Sequence, residues 1–153
     1  MGNHRSTGVR HRRITANTRS NELPDVVSRA ILLVEADPER QVRLARTLSR
    51  AGHRVVATST ADGARALVSE WDVDLILVDE DLPGVSGIDV ARRLRRESPE
   101  VPIVILTDPA MPASSRALVA AGADAAVHKP LALDDLEPWL AAAQQPLAAT
   151  SAE

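Results

Sequence analysis

The chain has 153 residues, one domain's worth, with 44% apolar and 25% charged residues; Phe and Tyr are absent, so a globular core has to be aliphatic. With no cysteine, disulfides and thiolate metal sites are excluded, and hard cations bound by carboxylates and carbonyls are the class left open. The formal net charge of −3 hides an asymmetry: residues 1–28 carry Arg5, Arg10, Arg12, Arg13 and Arg19 against Glu22 and Asp25, and the rest is acidic.

That basic stretch has no apolar period and reads as a disordered N-terminal tail. From about residue 30, short β-branched apolar runs alternate with longer segments of helical period, which predicts successive βα units and a parallel sheet. The first strand is expected at 30–35. Asp37 is then placed as N-cap and Pro38 in the first turn of a helix along which Val42, Ala45 and Leu48 recur at helical spacing and which stops at Gly52. A second strand at 54–57 precedes a helix capped by Ser59 or Thr60 and running to about Glu70. The third strand, Leu75–Asp79, and the fourth, Ile103–Thr107, are continuously apolar, which suits central strands covered on both faces.

Between them, a helix starting near Ser86 turns Ile88, Ala91 and Leu94 inward and leaves Arg92, Arg93, Arg95 and Arg96 on a solvated face. A fourth helix spans 114–121 and ends at Gly122, the fifth strand is Ala125–His128, and a fifth helix after Pro130 uses Leu133, Leu136 and Leu140. The expected class is therefore α/β, a five-stranded parallel sheet with five helices on both faces, spanning 29–143, with a flexible tail at 144–153. Apolar runs such as 75–78 are too short to cross a bilayer and the N-terminus lacks a signal peptide's apolar stretch, so a cytoplasmic location is expected.

In open parallel sheets functional groups collect beyond the carboxyl ends of the strands. Those ends carry Glu35, Ala36 and Asp37, then Asp79, Glu80 and Asp81, then Thr107 and Asp108, then Lys129 and Pro130. Grouped carboxylates suit a hard divalent cation such as Mg²⁺. A hydroxyl and an ammonium beside them add the donors that a transferring phosphoryl group needs, so the set points to phosphoryl chemistry on an aspartate. Lys129 is the only lysine, the other seventeen of the eighteen Lys and Arg residues being arginine, and a compact ammonium does what a planar guanidinium does poorly.

Four stretches carry a resemblance: Ile-Leu-Leu-Val-Glu-Ala-Asp-Pro at 31–38, Leu-Ile-Leu-Val-Asp-Glu-Asp-Leu-Pro-Gly-Val-Ser-Gly at 75–87, Pro-Ile-Val-Ile-Leu-Thr at 102–107 and Ala-Gly-Ala-Asp-Ala-Ala-Val-His-Lys-Pro at 121–130. In order and spacing they resemble the motifs of response regulator receiver domains, CheY-like. The resemblance implies a flavodoxin-like sheet of order 2-1-3-4-5, with Asp79 as phosphoacceptor, Pro83 and Gly87 in the loop after it, Thr107 as the hydroxyl that turns toward the phosphoryl group and Lys129 as its ammonium partner. Mg²⁺ would be held by Glu35, Asp79 and the backbone carbonyl of Asp81, and the Lys129-Pro130 bond would be cis. A stand-alone receiver of two-component or phosphorelay signalling is implied, served by a histidine kinase or phosphotransfer protein. No enzymatic activity is implied beyond self-phosphorylation and self-dephosphorylation. A homodimer would form through the fourth helix, fifth strand and fifth helix.

The pattern is broken in three places, which marks an atypical receiver or pseudo-receiver. Where receivers have a second acid that ligates the metal stands Ala36; Asp37 is the candidate to stand in for it, though an N-cap role suits it better, and Mg²⁺ affinity should be reduced. Where the family commonly has Tyr or Phe, three residues before Lys129, stands Ala126, which has no ring to swing on activation. Asp108 replaces a small residue beside the phosphoryl position. Two other readings stay open: a phosphorylation-independent interaction module, and a haloacid-dehalogenase-type phosphatase on Asp79-Glu80-Asp81, whose further acids would have to come from Asp134 and Asp135 at a helix start. A nucleotide-binding turn is disfavoured because 35–38 contains no glycine, and a DNA-binding domain because no helix-turn-helix follows.

Overall fold

The computed structural model describes residues 27–110 and 115–142. The elements run β1 (Ala30–Val34), α1 (Pro38–Arg50), β2 (Arg54–Thr58), α2 (Ala61–Glu70), β3 (Leu75–Asp79), α3 (Gly87–Glu97), β4 (Ile103–Thr107), α4 (Ser115–Ala120), β5 (Ala125–His128), a 3₁₀ turn (Leu133–Leu136) and α5 (Glu137–Ala142). All five strands pair in parallel in the order β2-β1-β3-β4-β5. This is the flavodoxin-like arrangement that the sequence led one to expect. The tail assigned to residues 1–28, except 27 and 28, and that assigned to 144–153 lie outside the described residues.

Burial follows strand position. Every residue of β1, β3 and β4 is buried, because each of these strands has a neighbour on both sides and helices over both faces. The edge strand β5 alternates half-buried and exposed residues, as one covered face requires. Successive side chains of the inner strands feed two separate cores. Leu32, Val34, Ile76, Val78, Ile103 and Ile105 pack with Ala64 of α2 and Val90, Ala91 and Leu94 of α3. Ile31, Leu33, Leu75, Leu77 and Val104 pack with Leu48 of α1 and Leu136 of the 3₁₀ turn. At about 25 cal/mol per Å² of apolar surface removed from water, this alternation is the main source of stability.

The helix ends behave as their residues dictate. Asp37, Thr60 and Ser86 cap α1, α2 and α3, and Pro38 stands in the first turn of α1, where its missing N–H costs no helical bond. Gly52 and Gly122, beyond the ends of α1 and α4, take φ of 98° and 78°, a left-handed conformation other residues reach only with strain.

The sequence reading differs from the structure in several places, and Val42, spaced with Ala45 and Leu48 along α1, is exposed. β1 ends at Val34 rather than Glu35, although the Glu35 N–H still donates to the Thr58 carbonyl at 3.0 Å, and β2 runs one residue longer than expected. The loop after β3 folds into a two-residue antiparallel hairpin, Asp81–Leu82 with Val85–Ser86, turning at Gly84. The last helix begins as a tighter 3₁₀ turn. Arg95 is not on a solvated face. Its Nε donates to the Gly122 carbonyl at 2.8 Å, Nη1 to the Pro99 and Val101 carbonyls at 3.0 and 2.8 Å, and Nη2 to Asp124 Oδ2 at 2.6 Å. Among the described residues no helix is long and apolar enough to cross a membrane.

Candidate functional site

Strand register gathers the site. Val34 lies beside Val78 in the β1–β3 pairing, so the next residue of each chain segment, Glu35 and Asp79, emerges at the same edge of the sheet. Asp79 is in turn beside Leu106 and Thr107 beside His128, which carries the end of β4 and the Lys129 that follows β5 to the same edge. The cis Lys129-Pro130 bond turns the chain there, and the Lys129 N–H donates to the Thr107 carbonyl at 2.9 Å. Behind Asp79 the start of α3 packs against the strand end so closely that a Cβ at Gly87 would overlap the Asp79 carbonyl oxygen.

Asp79 is wholly buried, and its two oxygens face different partners. Oδ1 accepts from Lys129 Nζ at 2.5 Å and from the Asp81 N–H at 3.0 Å. Oδ2 faces the Arg40 guanidinium, with Nη2 at 3.5 Å. The same Nη2 donates to Glu35 Oε1 at 3.2 Å, Arg40 Nε donates to it at 3.3 Å, and the Asp37 N–H adds a further bond at 3.0 Å. Glu35 is also wholly buried, while Arg40 is half-exposed, so the guanidinium lies over the two acids from the solvent side.

The two carboxyls are driven apart in acidity. Burial, then the hydrogen bond to Asp79, pushes Glu35 above its ordinary range against the pull of Arg40. Burial also pushes Asp79 up, but hydrogen bonds from Glu35, Lys129 and the Asp81 N–H outweigh it and hold Asp79 below the usual carboxylate range. Glu35 Oε2 is buried with no donor facing it, which agrees with a carboxyl pushed to hold its proton. Glu80, just outside, is raised by burial.

Other candidates fall elsewhere. Thr107 is buried, and its hydroxyl hydrogen-bonds with His128 Nδ1 at 3.0 Å. Asp37 accepts from the Arg40 N–H at 2.9 Å and serves as the helix cap, which holds its pKa below the usual carboxylate range. Asp108 is exposed and folds back on the Ala110 N–H at 2.8 Å, while Ala126 is exposed on β5. Asp134 and Asp135 lie exposed on the 3₁₀ turn, Asp135 accepting from the Ala132 N–H at 3.3 Å.

Arg40 was missed in the sequence. The signal that could have found it is its place in the first turn of α1, where side chains lean back toward the helix N-terminus and so toward the strand ends.

A divalent cation fits these residues poorly. Ala36 contributes only a methyl group and lines a cleft of about 450 Å³ with Ser59, Thr60, Leu82 and Arg93, in which Asp62 is the one acid. Among the described residues no three of His, Cys, Asp and Glu gather as a metal site would need.

Comparison with known proteins is consistent along most of the chain. A family model for the response regulator receiver domain matches residues 31–141. The transcriptional regulatory protein TcrA of Mycobacterium tuberculosis is 37% identical over 106 residues, 69% of this chain and 42% of that protein. The two-component response regulator PhoP of Pseudomonas aeruginosa is 38% identical over 107 residues, 70% of this chain and 48% of that protein, so the chain spans less than half the length of these relatives. Among solved structures, the receiver domain of the TMAO respiratory response regulator TorR superposes with a TM-score of 0.63 at 34% identity, covering 71% of this chain and 89% of that one. The receiver domain of the sensor histidine kinase PA1611 from Pseudomonas aeruginosa PAO1, which has a magnesium ion coordinated in its active site cleft, gives 0.65 at 28% identity, covering 74% and 95%.

Proposed function

Because the chain belongs to the response regulator receiver domain family, we propose that it acts as a receiver of two-component or phosphorelay signalling, taking a phosphoryl group on Asp79 from a histidine kinase or phosphotransfer protein. The observation that carries this reading is the Lys129 ammonium at 2.5 Å from a wholly buried Asp79 whose carboxyl is held below the usual carboxylate range. A carboxylate that stays ionised is a competent nucleophile, and an ammonium beside it is placed to hold the negative charge of the incoming phosphoryl oxygens. In the step itself an Asp79 oxygen forms the new O–P bond while the P–N bond of a phosphohistidine breaks, and the imidazole leaves with the electron pair and takes up a proton. Arg40 lies over Oδ2, so its half-exposed side chain has to swing out to admit the donor.

The test is intact-mass analysis after incubation with acetyl phosphate, with and without Mg²⁺. One phosphoryl adduct is expected, and none on Asp79→Asn. Absence of an adduct with acetyl phosphate and with a panel of phosphorylated phosphotransfer proteins would sink this reading.

A second reading, a phosphorylation-independent interaction module, is favoured by the complete burial of Asp79 beneath Arg40 and by Ala126 in place of a switch ring. It expects partner binding through α4, β5 and α5 that Asp79→Asn leaves unchanged, whereas the first expects that variant to lose the phosphorylation-dependent part.

A further inference from the structure

The Arg40 guanidinium touches both strand-end carboxylates, at 3.2 Å from Glu35 Oε1 and 3.5 Å from Asp79 Oδ2. We propose that this guanidinium is the resident cation of the acid pocket, standing between Glu35 and Asp79 where a divalent ion would stand, so that the site needs no bound metal. The proposal does not depend on whether Asp79 is phosphorylated.

Three observations carry it. The donor set lacks what a divalent ion wants: Ala36 has no oxygen to give, and the Asp37 carboxylate is engaged by the Arg40 N–H at 2.9 Å as the helix cap. The guanidinium, in contrast, is held in place. Its Nε and Nη2 both donate to Glu35 Oε1, at 3.3 and 3.2 Å, and its backbone is fixed in the capped first turn of α1. The planar fork of a guanidinium suits two neighbouring carboxylates in a way that a lysine ammonium does not.

Charge completes the case. Glu35 and Asp79, both ionised, are matched one for one by Arg40 and Lys129, and with a proton on Glu35 the four groups already sum to one positive charge. A divalent ion added to these four groups would leave two or three positive charges beyond what Glu35 and Asp79 compensate. It would compete with the guanidinium for the same two carboxylates.

The experiment titrates Mn²⁺ into the full chain and follows the free-ion signal by electron paramagnetic resonance, for the wild type, Ala36→Asp, Arg40→Ala and the double variant. Mn²⁺ is expected not to bind the wild type up to millimolar concentration, and to bind the double variant at least about tenfold more tightly than Ala36→Asp, because removing the guanidinium removes a like charge. Sub-millimolar binding by the wild type, or equal affinity of Ala36→Asp and the double variant, overturns the proposal. Arg40→Gln, which keeps the length and polarity of the side chain, replaces Arg40→Ala if the latter does not fold. A measurement on the wild type alone gives a second check: its urea midpoint should be the same in EDTA and in millimolar Mg²⁺, and a rise with Mg²⁺ that is absent with the same ionic strength of Na⁺ overturns the proposal.

Discussion

Glu35 and Asp79 are carboxylic acids at neighbouring strand ends, yet one is pushed to hold its proton and the other to release it. The difference comes from their partners. Asp79 has an ammonium and a backbone N–H on one oxygen, whereas Glu35 leaves one buried oxygen without a donor. This has a signed consequence for stability. Glu35 is raised above its unfolded value of 4.5, so its contribution is full below that pH and is lost as pH rises through the folded value. Asp79 is lowered from 3.8, so its contribution is present above that pH and is lost as pH falls through its folded value. Glu35→Gln keeps a donor toward Asp79 and cannot ionise. Urea unfolding at a series of pH values should therefore show wild-type stability falling, relative to the variant, as pH rises above 4.5 toward the raised folded value. Taking the difference between the two curves removes the opposite slope from His53, whose affinity for protons is lowered by burial and by Arg29. Parallel curves would show that Glu35 carries no shifted proton.

At the scale of elements, caps and periodicity were legible because they are local. Asp37, Thr60 and Ser86 each accept a hydrogen bond from a backbone N–H of the helix that follows, and a window of four residues is enough to see it. Arg95 was not legible. Within α3 it belongs to a run of four arginines, and nothing local separates it from Arg92, Arg93 and Arg96. Its carbonyl partners at Val101 and Gly122 and its acid at Asp124 are brought to it only when β4 and β5 pair beneath the helix. Asp124 also accepts the Ile103 N–H at 2.8 Å, so Arg95 and Asp124 together tie the end of α3 to the start of β4. Arg95→Ala should cost about 1–2 kcal/mol in urea unfolding, discounted because Asp124 is partly exposed, whereas Arg96→Ala should stay within about 0.5 kcal/mol. Equal losses would return Arg95 to the solvated face.

At the scale of the molecule, the sheet separates two aliphatic cores that share no side chains. Leu77 faces the core under α1 and the 3₁₀ turn, and Leu94 reaches the other core from α3; both are fully buried. Each Leu→Ala variant should lose about 3 kcal/mol from transfer and cavity terms. Because the sheet stands between the sites, the double variant should lose the sum to within about 0.5 kcal/mol. A large interaction energy, measured by the double-mutant cycle, would mean that the two layers repack as one.

The sequence by itself determined the fold class, the five strands, the helix caps and the set of strand-end groups, because apolar period, capping residues and turn glycines act over a few residues. It also marked Ala36 and Ala126 as departures from the family pattern, since those are readable position by position. Only the tertiary structure decided what lies against Glu35 and Asp79. Arg40 reaches Asp79 across 39 residues of chain, and Lys129 reaches it across 50. Those distances close only when parallel strands bring their ends to one edge, and which cation then sits between the two acids is decided by charge and reach in three dimensions.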